Sequence, residues 1–468
     1  MSTSISFGGL ASGLDTTAII NALVSAEEIP ILSVEQKKAA EEQKLSLVST
    51  LEGLVKDLKA KAEGMQDLAG FMSYSVTPSE EGVANFTVTG APIAGSHTLT
   101  VNSLAAADRW NTVGIADDAA LLGMGTISFD YDGTSYSVAV DPIASTIYDV
   151  ADAINAQAGE AVQASVVNTG TASSPSYELV VEGKDTGADY AITNLASTVS
   201  GLSFNATALT SASDASITLD GLTITRSSNE FSDVLEGLSI EAVAADLGKT
   251  ITFGISVDSE GVEGKLTEFV DTYNAVMEFV NGQSSYDPDA GPGGALFGDS
   301  LLQSVQSKLY YGFVAADPAV VQADTTGYSA LSLLGIDSTL DGSLEIDSEE
   351  LNEKLLGDVE AFAAFFTGAT DGSTEGVFTQ LATELEFLTD SMGDDVNGDP
   401  LEGLFDVRKS SLNSLIDDMG DKIDDMRYRL EKYEEGLVTK YAALEVLMAE
   451  LQVQEAAALN LANLDFGS

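Results

Sequence analysis

The stretch Ile416–Leu451, "IDDMGDKIDDMRYRLEKYEEGLVTKYAALEVLMAEL", decides the fold. One line of apolar residues in it is Ile416, Met419, Ile423, Met426, Leu430, Tyr433, Leu437, Tyr441, Leu444, Met448 and Leu451. They recur in steps of three and four, the seam of a long helix near the 3.5-residue period. The same period occurs near the other end, at Leu47, Leu51, Leu54, Leu58, Ala62 and Met65. Each seam holds a 4-4 step, which relaxes the supercoil locally. Lys and Glu flank both, in "EQKKAAEEQK" and "MRYRLEKYEE". Such flanking charges pair across helices and choose a partner. The two chain ends are therefore expected to form one coiled-coil-like leg, and everything between them is an insertion.

The distribution of basic residues agrees. Of 20 in the chain, six lie between Lys37 and Lys61 and seven between Arg408 and Lys440. The two ends thus resemble each other and differ from the middle. The chain has 468 residues, enough for two to four domains, and 44% hydrophobic residues, enough for folded cores. Its formal net charge of -54 repels nucleic acid and anionic lipid. A saline habitat, where salt screens self-repulsion, is one hypothesis for that charge. Equal unfolding stability at low and high salt would sink it. No run of about eighteen apolar residues is read, so no membrane span is expected. The first twenty residues lack the basic start and apolar block of a secretory signal.

Cysteine is absent, which removes disulfides, thiol catalysis and thiolate metal sites. His97 is the single histidine. It lies in "GSHTLTV" and reads as a solvent-facing strand residue. "GDSL" at Gly298–Leu301 copies a lipase nucleophile motif, but Ser300 lacks a base other than His97. Asp299 or Ser300 reads instead as a helix N-cap. "DDVNGDP" places Asp395, Asn397 and Asp399 at alternate positions, as in a calcium loop. Pro400 stands where that loop needs glycine, so an acidic turn is expected. No catalytic residue, cofactor or metal is assigned.

At the N-terminus Asp15 can cap a helix carrying Ile19, Ile20, Leu23 and Val24, with Pro30 interrupting it. Leu459, Leu461, Leu464 and Phe466 close the chain and need burial. Leu14, Ile19 and Leu23, with those four, are the expected terminal partner contacts. Further helices are expected after Val262, with Leu266, Phe269, Val270, Tyr273, Met277 and Val280 on one face, around Leu302–Leu309 and along Glu349–Phe366. A small strand pair is expected around Leu340–Ile346.

Between Ser75 and Val257 the period becomes two. "TISFDYDGTSYSVAV" is a hairpin around Asp132-Gly133. "STIYDVADAINAQ" puts Ile147, Val150, Ala151 and Ile154 on one helix face, and "AVQASVVN" and "YELVVEG" return to strands. "ASITLDGLTITR" is a second hairpin, turning at Asp220-Gly221. "SSN" is expected to cap backbone amides. Phe231, Val234 and Leu235 read as one helical turn ended by Gly237. Arg226 is expected to neutralise a local carboxylate cluster.

The fold class is α+β multidomain: a discontinuous helical leg formed by both ends, with inserted, mainly β head domains. The expected domains are a mobile segment 1–30, a leg of 31–72 plus 260–454, a β head of 73–107 plus 213–259, a second inserted β-rich head of 108–212, and a mobile segment 455–468.

Five segments in order resemble the bacterial flagellar filament cap family, hook-associated protein 2. They are "GLASGLDTTAIINALVSAEEIPI", "ASITLDGLTITRSSNEFSDVLEGLSI" with "FVDTYNAVMEFV" after it, "GALFGDSLLQSV", "LSLLGIDSTLDGSLEIDSEELNEKL" and "RLEKYEEGLVTKYAALEVLMAELQ". "STIYDVADAINAQAGEAVQASVVN" is similar to a small module of flagellins and their relatives. The resemblance implies a homo-oligomeric cap, described as pentameric, beneath which exported flagellin folds and inserts. It implies export through the flagellar type III channel, a cytoplasmic export chaperone on the C-terminal helix, and contact with a flagellar junction protein. The β region is where the family varies most and where the acidic excess departs from it, so plate contacts and cell adhesion are not carried over. A hook-filament junction protein or a secreted acidic adhesin are the alternatives.

Overall fold

The computed structural model describes residues 13–140, 145–246, 248–287, 291–314, 324, 326–369, 372–390 and 402–465. The chain opens with α1 (Thr16–Glu63), a 48-residue helix, and the short α2 (Leu68–Phe71). Strands β1 (Tyr74–Pro78), β2 (Ala84–Val88), β3 (Gly95–Ser103), β4 (Ala107–Asn111), β5 (Gly125–Tyr131) and β6 (Thr134–Val140) follow. Then come α3 (Ile147–Ala158), β7 (Val162–Asn168), β8 (Tyr177–Thr186), β9 (Thr193–Ser197), β10 (Ala215–Leu219), β11 (Leu222–Arg226), β12 (Glu230–Leu235), β13 (Leu238–Ala242) and β14 (Ile251–Val257). Helix α4 (Ser259–Ser284) leads to β15 (Tyr286–Asp287), β16 (Gly291–Pro292) and α5 (Ser300–Leu309). The last elements are β17 (Ile336–Ser338), β18 (Leu344–Ile346), α6 (Ser348–Gly357), α7 (Val359–Thr367), α8 (Val377–Thr389) and the 62-residue α9 (Leu404–Asp465).

Two compact units result. One takes the described parts of Met1–Gln66, Leu266–Leu351 and Ala364–Ser468. The other takes Asp67–Lys265 and Asn352–Ala363.

The second unit holds two β cores. In the first, β1-β14-β3-β10-β11 form an antiparallel five-stranded sheet and β12-β13-β2 a three-stranded one. Leu99, Val101, Ile217, Phe231, Leu238, Ile240 and Phe253 fill the space between them. In the second, sheets β4-β8-β7 and β6-β5-β9 enclose Ile127, Phe129, Val138, Leu179 and Val181 with Ile147, Val150 and Ile154 of α3. Both hairpin turns have the geometry that Asp-Gly favours: Asp132 and Gly133 at φ 47° and 70°, Asp220 and Gly221 at 47° and 83°. Two-residue turns fix the registers Tyr131↔Thr134 and Leu219↔Leu222.

Strand β4 enters the second core beside the returning chain, with Ala106 and Ser213 bonded backbone to backbone. Buried Asp108 fastens this crossing. It accepts from Trp110 Nε1 at 3.0 Å, Ile192 N at 2.7 Å and Ala212 N at 3.3 Å. Exposed strand edges are sealed by carboxamides. Asn155 pairs with both backbone groups of Ala164 on β7 at 2.8 Å, and Gln157 with both of Ala139 on β6. An edge so occupied offers less template for aggregation.

Three expectations need correction. Residues 230–235 form strand β12 in place of a helical turn. Phe231 pairs with Ile240 and Leu235 with Leu238, and a register shift between them produces the misleading spacing. The turn needs Gly237, at φ 73°, where a Cβ would meet the Pro92 backbone nitrogen at 2.7 Å. Pro30 lies inside α1 without ending it. Pro30 and Ala26 are both exposed, so the carbonyl left without a donor is open to water. Finally, one 18-residue window of α1 near the N-terminus reaches a mean hydropathy of 1.4, so α1 is long and apolar enough, by length and composition alone, to cross a membrane. That window is 11% buried in this unit.

Candidate functional site: the paired terminal helices

The first unit is organised by α1 and α9. Two ion pairs between them set direction and register. Lys409 meets Glu52 at 2.7 Å, and Arg427 meets Glu35 at 2.6 Å. The α9 number rises as the α1 number falls, so the helices run antiparallel. Near Glu52 the pair is thick. Val48, Leu51, Val55, Leu58 and Ala62 are wholly buried on α1, and Phe405 and Leu412 nearly so on α9. Helix α8 covers α1 as well, with Lys59 of α1 paired to Asp390, the residue after α8. Phe269 of α4, Phe313, Phe366 of α7 and Phe378 of α8 pack together, some stacked and some edge-on or tilted, at centroid distances of 4.8–5.9 Å.

Glu52 is a buried carboxylate in this apolar seam. Burial pushes its pKa up, but the hydrogen bonds and charges of Lys409 and Lys56 outweigh that and hold it below the ordinary range. Burial likewise works against charged Lys59, and the carboxylates of Asp390 and Glu63 overcome it and raise its pKa.

Further along, the packing thins. Ala39 and Gly420 line a solvent-open cavity of about 340 Å³ with Glu35, Lys38, Asp424 and Arg427. Ile423 lines it too and is buried; beyond it Leu437 is buried, while Leu430 and Met448 are half-buried. By the register of the ion pairs, Thr16 lies opposite residue ~445, so about twenty α9 residues, roughly 30 Å, extend past the start of α1. There Val446, Leu447, Leu451, Val453 and Leu459 are all exposed. Leu14, just before α1, and Leu23, Ile29 and Leu32 on it are exposed too.

The expected packing residues are distributed as follows. Leu51 and Leu58 are fully buried, and Leu47 and Leu54 half-buried. Val48 and Val55 hold the positions given to those two leucines. Ile416, Met419, Met426 and Leu430 are half-buried, Ile423 and Leu437 buried, Leu444 and Leu451 exposed. Of the terminal residues, Leu14, Leu23 and Leu459 are exposed and Ile19 is half-buried. The side chains of Leu461 and Leu464, and Phe466 entirely, lie outside the described residues, as do Asp395, Asn397 and Asp399. Phe405 and Leu412 were missed, though they continue the α9 seam backwards, Leu412 four residues before Ile416 and Phe405 seven before Leu412.

The motifs suggestive of chemistry are occupied structurally. Asp299 caps α5 through Leu301 N at 3.0 Å and holds Arg408 through Nε and Nη2 at 3.0 and 2.7 Å. Ser300 begins α5 in the first unit, whereas His97 belongs to the second. There His97 Nδ1 lies 2.7 Å from Asp220, and its ring stacks on Phe253. Arg226 pairs with one carboxylate, Asp233, at 2.8 Å and donates to the Thr225 carbonyl at the sheet edge. Asn229 pairs both backbone groups of Ala105, at 2.7 and 3.2 Å.

Terminal helices that pair at their base and leave apolar residues uncovered further out, with β domains carried as an insertion, define a structural assembly subunit. The C-terminal family model "Flagellar hook-associated protein 2 C-terminus" matches residues 212–453, and its N-terminal counterpart matches 12–108. The chain belongs to the flagellar hook-associated protein 2 family. It is 28% identical to the B-type flagellar hook-associated protein 2 of Pseudomonas aeruginosa PAO1 over 97% of each chain. It is 26% identical to flagellar hook-associated protein 2 of Escherichia coli K12 over 96% of each. The fold matches the crystal structure of the flagellar cap protein FliD D1-D2-D3 domains from Escherichia coli. The TM-score is 0.63 at 23% identity, covering 78% of this chain and 99% of that one.

Proposed function

We propose that this chain caps the distal end of the bacterial flagellar filament, where it holds exported flagellin until each subunit has folded and inserted. The work is mechanical and uses no reacting group. The observation that carries the reading is the uncovered apolar outer part of α1 and α9, in a member of the hook-associated protein 2 family. Exposed leucines and valines on helices of this length call for a protein partner. The partners proposed are other copies of the chain in a homo-oligomeric cap, taken as a pentamer, flagellin beneath it, and the junction protein on which the cap first sits. A cytoplasmic chaperone covers the C-terminal part of α9 before export through the flagellar type III channel.

The thinning of the helix pair beyond Gly420 suits a subunit whose contacts must open and reform as each flagellin enters. Leu14, Ile19, Leu23, Leu459, Leu461, Leu464 and Phe466 are the proposed partner contacts. Deletion of residues 455–468 tests this. Loss of long filaments and motility, with flagellin released to the medium, is expected. Normal filaments and motility would contradict it.

A further inference from the structure

In the first unit, α4, α5 and the β17–β18 hairpin frame a cavity of about 500 Å³ whose rim includes Tyr310, Tyr311 and Leu340. Leu340, at the hairpin tip, is fully exposed, and Tyr310 and Tyr311 are exposed at 52% and 73%. The two rings meet edge to face at 5.2 Å. They begin a π-helical turn, Tyr310–Val314, a distortion that often marks functional surfaces.

The hairpin is held rigidly. Asn274 of α4 pairs both backbone groups of Leu344, at 2.9 and 2.7 Å, and Asn281 donates to the Asp341 carbonyl at 2.8 Å. Asp341 accepts from the Thr339 hydroxyl and from Ser343 N and Oγ. Gly342 takes φ 83°, and a Cβ there would meet Met277 Cε at 2.7 Å. A leucine presented so firmly to water, beside two tyrosines, has the make-up of an interface anchor.

Charge selects the occupant. The chain carries -54, yet among the described residues lining this cavity only Asp341 is charged, and the turn uses its carboxylate internally. Two copies repel over most of their surfaces, with the repulsion screened only beyond about 8 Å at physiological salt. A neutral, aromatic patch is where such copies can come into contact. We infer that the Tyr310–Tyr311–Leu340 surface is a subunit contact, occupied by a second copy of this chain. The inference rests on the homo-oligomeric reading above and adds the surface through which copies meet.

Sedimentation velocity of the full chain tests it. The unsubstituted chain and Leu340→Met should sediment as oligomers, and Leu340→Asp, with unchanged circular dichroism and Tm, as a monomer. Oligomers of Leu340→Asp indistinguishable from the unsubstituted chain would overturn the surface while leaving the oligomer intact. A monomeric unsubstituted chain would overturn both. Because the chain has no cysteine, Leu340→Cys can carry a benzophenone label at one position. With purified flagellin from the same bacterium present, crosslinking to a second copy supports the assignment. Crosslinking to flagellin alone, or to neither, overturns it.

Discussion

Arg427 of α9 donates to Glu35 of α1 at 2.6 Å across 392 positions of sequence. Arg427 is largely exposed, so the pair contributes little stability, about 0.2–1 kcal/mol. Its value lies in register, which it fixes together with Lys409 and Glu52. Reversing one charge, Arg427→Glu, is expected to lower the stability of the helix pair. Adding Glu35→Arg should restore most of the loss, with a coupling of up to about 1 kcal/mol in a double-mutant cycle by urea unfolding. Additive losses would mean that the two residues do not meet.

Acid should loosen the base of the pair through Glu52. Its folded pKa lies below the ordinary 4.5, so it favours folding above that value and loses its contribution as pH falls below it. Urea midpoints measured from pH 6 to 3 should fall less steeply for Glu52→Gln than for the natural chain. Superimposable pH profiles would refute this. Removing one partner of a buried ion pair strands the other charge, so Glu52→Leu alone should lower stability at pH 7, and adding Lys409→Leu should recover much of the loss.

The burial gradient predicts unequal costs along one helix pair. Leu51→Ala and Leu58→Ala remove wholly buried side chains and should each cost about 2–5 kcal/mol. Leu444→Ala, in the exposed outer part, should stay within about 1 kcal/mol. Gly420→Ala should stabilise by roughly 0.5–1 kcal/mol, because its Cβ would meet only Lys38 Nζ, at 3.6 Å. Denaturant titration of the four variants gives this order, and equal losses for Leu51→Ala and Leu444→Ala would deny the gradient.

In the β unit, Asn229→Ala leaves both backbone groups of Ala105 without their partner. A loss of roughly 1–3 kcal/mol is expected, with faster hydrogen exchange at Ala105. Unchanged exchange there would show that water substitutes for the side chain.

Much of this architecture is legible in the sequence because long apolar periods and Asp-Gly turns are local signals. The α9 seam and the turns at Asp132 and Asp220 need no tertiary information. What was misread depended on neighbours. Helix α1 is covered by both α9 and α8, so its apolar band is wide. Leu47 and Leu54 lie on the flank of that band, while the deepest positions belong to Val48 and Val55. At Phe231, Val234 and Leu235, a register shift in a strand imitates helical spacing. The exposed knob at Leu340 could not be read from pattern at all, because what exposes it is the clamp of Asn274 and Asn281 on its hairpin.

Immunogold electron microscopy of intact filaments, with antibody against the β region, tests the central claim most directly. Gold at the distal tip alone is expected of a filament cap. Gold at the hook junction, or over the cell body with bare tips, would contradict it.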